Sequence, residues 1–61
     1  MLKTCNDAVL AIRAADDGDA EAERIWMEDD GYSDAAREVA RMFFEYGPLP
    51  DEDLLDLGYT L

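Results

Sequence analysis

The sequence predicts an all-α protein, a small bundle of three to four short helices with a central amphipathic helix at about residues 34–46. Apolar residues recur at three- and four-residue spacing in the first and third segments, the period of a helix with one buried face. Gly18, Gly31, Gly47-Pro48 and Gly58 punctuate the chain at intervals that suit short helices. Between those stops, Thr4 or Asn6, Asp19, Ser33 and Pro50-Asp51 stand where helices would begin. At 61 residues the chain forms one domain, residues 1–61, because a core this small cannot be divided.

The first helix opens at Thr4 or Asn6, with Asp7 three residues after Thr4 in a capping-box position. Cys5, Ala8, Val9, Ile12 and Ala15 form its stripe, Leu10 falls off it, and Gly18 is expected to stop it. Asp19 would cap a second helix running to about Asp30, with Ala22, Ile25 and Trp26 as its apolar side, Met27 pointing elsewhere and Gly31 ending it. Ser33 caps the strongest segment, Asp34 to Tyr46, closed by Gly47-Pro48. On a wheel of about 100° per residue, Ala35, Ala36, Val39, Ala40, Met42, Phe43, Phe44 and Tyr46 cover roughly 200°. A helix that is apolar over half its circumference is contacted from two sides. Asp34–Arg37, Glu38–Arg41 and Arg41–Glu45 lie at pairing distance on the remainder. A last short helix starts at Pro50, carries Asp51, Glu52 and Asp53 in its first turn, and docks through Leu54, Leu55 and Leu57 before Gly58. Leu57 to Leu61 alternates in a way that suits a brief extended stretch.

Composition narrows the function classes. Sixteen acidic residues stand against five basic ones with no histidine, a net charge of −11, beside 49% hydrophobic residues. A chain this rich in apolar residues folds rather than remaining a disordered acidic tail. Its charge excludes direct nucleic-acid binding, which needs a cationic face, and an anionic membrane would repel it. No run approaches the ~20 apolar residues of a spanning helix. Nor does Met1-Leu2-Lys3-Thr4-Cys5 lead into an apolar stretch of signal-peptide length, and one cysteine makes no internal disulfide. A cytoplasmic protein is therefore expected. Self-repulsion in so small a core also suggests that a partner, a second copy or counterions help to hold the fold.

The charge is concentrated. Residues 1–15 carry +1, residues 16–34 carry −8, residues 35–46 balance at zero and residues 47–61 carry −4. Solubility alone would scatter both signs over the surface. The Asp16-Asp17-Gly18 and Asp29-Asp30-Gly31 turns also place carboxylates where helix C-termini are expected, against the dipole. Such local violations mark candidate functional sites. The plainer alternative is that aspartate suits turns and starts the next helix well.

Tests for chemistry mostly fail. With Gly18 as the sixth residue of a calcium loop, Arg13 and Arg24 fall at its first and last positions; with Gly31, Trp26 and Arg37 do. Neither frame can hold calcium, and no metal or other cofactor is expected. Without histidine or a phosphate loop, no catalytic residue is assigned, and Cys5 on its apolar stripe reads as a core residue. The Gly47-Pro48 break between helices does not make a DNA reader, because the second helix would begin Asp51-Glu52-Asp53.

Binding through charge remains. Glu21 with Glu28, and Glu23 with Asp30, recur at seven residues along the second helix, with Asp16, Asp17, Asp19 and Asp29 in the flanking turns. Carboxylates four residues apart on a helix lie about 6 Å apart along its axis, similar to successive phosphates. Trp26 and Tyr32, with Met27 or Leu10, would supply apolar anchors. The candidate partner-binding set is therefore Asp16, Asp17, Asp19, Glu21, Glu23, Trp26, Glu28, Asp29, Asp30 and Tyr32.

Through Asp16-Asp17-Gly18-Asp19, Glu21, Glu23 and Glu28-Asp29-Asp30, the chain resembles small acidic phage-encoded inhibitors of bacterial defence. These are the anti-CRISPR and anti-restriction proteins, several of which act as DNA mimics. The likeness is one of class, carried by size, acidity and helical character. It implies an inhibitor acting in the bacterial cytoplasm that occupies the basic nucleic-acid-binding surface of a defence complex, a CRISPR effector above all. The alternative is a small interaction module of antitoxin or regulator type. It would dock by the wide face of the third helix or by Leu54-Leu55-Leu57, on a partner or on a second copy as a homodimer.

Overall fold

The computed structural model describes all 61 residues, and the chain forms four helices and no strand. They are α1 (Cys5–Ala14), α2 (Gly18–Met27), α3 (Asp34–Tyr46) and α4 (Asp51–Asp56). The three longer helices pack mutually, and α3 lies against both α1 and α2 as its wide apolar arc requires. Ala8, Ala22, Ala36 and Ala40 are fully buried where they meet. Such small side chains let helix axes approach to the short end of the usual 8–10 Å range. Cys5, Val9, Ile12, Ile25, Val39, Phe43 and Leu54 fill the space between. Of the broad arc on α3, only Ala36, Val39, Ala40 and Phe43 are buried; Ala35, Phe44 and Tyr46 remain exposed.

The helix starts follow local chemistry. Thr4 closes a capping box with Asp7 on α1, and Ser33 accepts from the Ala36 N–H on α3. Between α1 and α2 the structure departs from expectation. The first helix ends at Ala14 rather than at Gly18, and Asp17, not Asp19, caps α2 by accepting the Ala20 N–H at 3.2 Å. Gly18 is the first residue of α2. A Cβ there would sit 3.2 Å from the Ile12 carbonyl oxygen, so this glycine permits the close approach of α2 to α1.

Helix α2 also stops early, at Met27 instead of near Asp30. Asp29 ends it by turning: its Oδ1 accepts the Gly31 N–H at 2.8 Å while its own N–H returns to the Arg24 carbonyl. The expected Asp34–Arg37 pair does not form. Arg37 reaches instead to the Trp26 carbonyl at 3.3 Å, where a cation satisfies the C-terminal end of α2. The other two pairs on α3 exist, with Arg41 between Glu38 and Glu45.

The termini close the bundle. Lys3 and Tyr32 form a one-residue parallel bridge, with the Lys3 N–H donating to the Gly31 carbonyl and the Ser33 N–H to the Lys3 carbonyl. At the other end Leu54 is fully buried and Leu57 half-buried, but Leu55 faces solvent at 47% exposure, so only part of the expected leucine docking occurs. Gly47 and Gly58 take φ of 81° and 106°, turning the chain into and out of the α4 region. Asn6, free of capping duty because Thr4 performs it, binds the Thr60 backbone as a neighbouring strand would. It donates to the Thr60 carbonyl at 2.7 Å and accepts the Thr60 N–H at 3.0 Å. The tail is held in this way without forming a strand.

Candidate functional site

The acidic segment divides into carboxylates with structural work and carboxylates without it. Asp17 caps α2. Glu21 and Asp29 are both held by the Arg24 guanidinium, at 2.6 Å to the glutamate and 2.9 Å to the aspartate. The Arg24 hydrogen bonds keep the Glu21 carboxyl below the usual glutamate range. Asp29 is likewise lowered, first by the Gly31 N–H and then by Arg24. The expected violation of helix-dipole preference is thus partly removed, since Asp17 sits at a helix start and Asp29 makes a turn.

Asp16, Asp19, Glu23, Glu28 and Asp30 are all exposed and make no ion pair within the chain. Asp19 and Glu23 are one turn apart on the outer side of α2, so their axial spacing is the ~6 Å expected of an i, i+4 pair. The seven-residue pairings differ from expectation. Glu28 and Asp30 lie beyond the end of α2, and Glu21 turns toward Arg24.

Every basic side chain has a contact within the chain, three of them with carboxylates. Lys3 lies over the Tyr32 ring at 5.2 Å, and Arg13 binds Asp51 at 2.8 Å while lying over Tyr59. Arg24, Arg37 and Arg41 are held as described above, leaving no free basic side chain to offset the outer face of α2. Exposed pairs of this kind contribute little to stability. Their larger consequence is that the arc of α2 shared by Asp19, Glu23 and Met27 carries carboxylates and no cation.

The aromatic anchors are redistributed. Tyr32 is 5% exposed and belongs to the core, so it is not available as a contact residue. Its position after the Gly31 turn, bridged to Lys3, carries it under the N-terminal segment. Trp26 is half-buried and packs on Phe44 of α3, ring centroids 5.7 Å apart and planes tilted by 41°. Met27, its chain neighbour, is 61% exposed, and Phe44 is 39% exposed. Phe44 lay outside the candidate partner-binding set and was expected as a contact only in the alternative reading, as part of the wide α3 face. The signal for it was the excess width of the apolar arc on α3, more than two neighbouring helices can cover.

No concave pocket opens on the surface, and no three Asp, Glu or Cys side chains converge on a point where a metal ion could sit. No helix is long and apolar enough to cross a membrane. Fold and surface together define a small acidic all-α bundle with a single-signed face beside a half-exposed aromatic pair. No protein-family model, curated protein or solved structure matches the chain.

Proposed function

We propose that the protein is an inhibitor that places the acidic face of α2 and its flanking turns in the basic nucleic-acid groove of a bacterial defence complex, a CRISPR effector above all. The observation that supports this reading is the set of exposed, unpaired carboxylates in a segment of net charge −8 where no cation is free. Spread over the 26 Å extent of the molecule, the −8 of residues 16–34 amounts to one net charge per roughly 3 Å. Nucleic acid carries one per ~1.7 Å as a duplex and one per ~3.4 Å as a single strand. A groove built to release counterions from phosphate gains the same advantage from this face. The reading by apolar docking is less favoured. Leu54 and the centre of the α3 arc, on which it drew, lie inside the fold.

The test is competition between the protein and nucleic acid for a defence effector, read by gel shift. The variant combines Asp19→Lys, Glu23→Lys, Glu28→Lys and Asp30→Lys, four positions that make no ion pair in the fold. Inhibition is expected to be lost, and any residual binding to respond less steeply to salt than that of the parent. Undiminished inhibition by the folded variant would refute charge mimicry.

A further inference from the structure

We infer that Trp26, Met27 and Phe44 form the anchor of the docking surface, and that its occupant is a basic amphipathic segment of a partner protein. Such a segment seats an apolar side chain on the ring pair and sets lysine or arginine over the carboxylates around it. The inference rests on the acidic face being the binding face, and it adds what that face grips. Trp26 and Met27 are consecutive on α2, about 100° apart, so both cannot enter the core that Ala22 and Ile25 already reach. Trp26 turns to Phe44, and Met27 is 61% exposed.

The surroundings decide the occupant. Asp19 and Glu23 share the outer arc of α2 with Trp26 and Met27, within about 100° of the helix circumference. Glu28 and Asp30 follow Met27 directly in the turn and are exposed. Of the nearby cations, Arg24 is paired with Glu21 and Asp29, while Arg37 is half-buried under the Trp26 carbonyl and keeps its charge, so the carboxylates outnumber it on this side. An ordinary interface takes about 800 Å² from each partner, roughly a fifth of the 3898 Å² this molecule exposes. Three partly exposed side chains fall short of that area, so the interface must spread over the carboxylates. A second copy brings its own −8 segment against this one and is repelled. A partner with an apolar centre and a cationic border meets both demands, and buried aromatic anchors are where interface energy concentrates.

Trp26 is the only tryptophan, so its emission reports on the patch directly. Two probes separate apolar anchoring from charge: a Leu/Lys peptide with leucines at helical spacing, and polylysine. The Leu/Lys peptide is expected to shift Trp26 emission to the blue, while polylysine binds without that shift. Met27→Ser and Phe44→Ala are expected to weaken the Leu/Lys peptide about tenfold and leave polylysine unchanged. Leu10→Ser, at an exposed leucine of α1, is expected to change neither. Met27 is exposed, so its replacement keeps the test valid should Phe44→Ala not fold. Equal affinity of the Leu/Lys peptide for Met27→Ser and the parent, or an equal loss with Leu10→Ser, overturns the inference. So does a blue shift produced by concentrating the protein alone, with a dimer seen in sedimentation, because the occupant is then a second copy. Failure of the charge reading looks different: polylysine binding survives the four-lysine variant unchanged.

Discussion

Arg24 holds Glu21 on its own helix and Asp29 in the following turn with one guanidinium. Three carboxylates, Glu21, Asp29 and Glu38, are held below their ordinary range by arginine or backbone donors. A depressed carboxylate contributes stability that is fully present above its unfolded value, about 4, and is lost as pH falls through the lower folded value. Arg24 itself stays charged throughout, its pKa pushed further up by the same two partners. Replacing Arg24 by glutamine is therefore expected to lower stability at neutral pH. The gap to the parent should narrow below about pH 4 and close in stronger acid, as urea unfolding at a series of pH values would show. The effect is small because the clasp is largely open to water. A gap that stays constant down to strong acid contradicts the clasp. At this scale the sequence marked which residues are acidic; it did not mark which acids are used. Asp29 and Glu23 look alike in the chain, and only the position of Arg24 after folding separates them.

Among the elements, α3 was legible to the residue, because a capping serine, an unbroken periodic run and a glycine stop all agree there. The α1–α2 corner was not. Asp16, Asp17 and Asp19 are all acceptable caps, and the choice fell to Asp17 because Gly18 must lie against Ile12. Long-range attachment of the C-terminal segment was also invisible. Asn6 and Arg13, seven residues apart and so on one stripe of α1, hold Thr60 and the Leu49–Asp51 turn. That attachment yields a prediction at this scale. Leu54→Ala removes the one fully buried side chain of α4 and should cost about 2–5 kcal/mol in urea unfolding. Asn6→Ala should leave the core intact but speed hydrogen exchange at the Thr60 amide, which Asn6 now accepts. Retained protection of Thr60 in that variant would show that the tail is held by something else.

For the molecule as a whole, a net charge of −11 on a body with a radius of gyration of 10.0 Å opposes compaction. Screening should relieve it. Raising salt from about 10 mM to 150 mM shortens the Debye length from roughly 30 Å to 8 Å. The melting temperature is expected to rise by about 4–8 °C, the shift that ~1 kcal/mol produces in a domain this small. A melting temperature that is flat or falls with salt would mean that the exposed ion pairs outweigh the repulsion. The same salt should weaken partner binding, so stability and affinity move in opposite directions. By itself the sequence determined the all-α class, the central place of α3 and the concentration of negative charge, since these follow from period, capping and composition, all local quantities. Tertiary structure alone decided that Tyr32 is core, that Phe44 joins Trp26 at the surface, and that Arg13 and Arg37 find their partners on other elements. Those outcomes depend on which side chains meet across helices, and no spacing along the chain encodes that meeting.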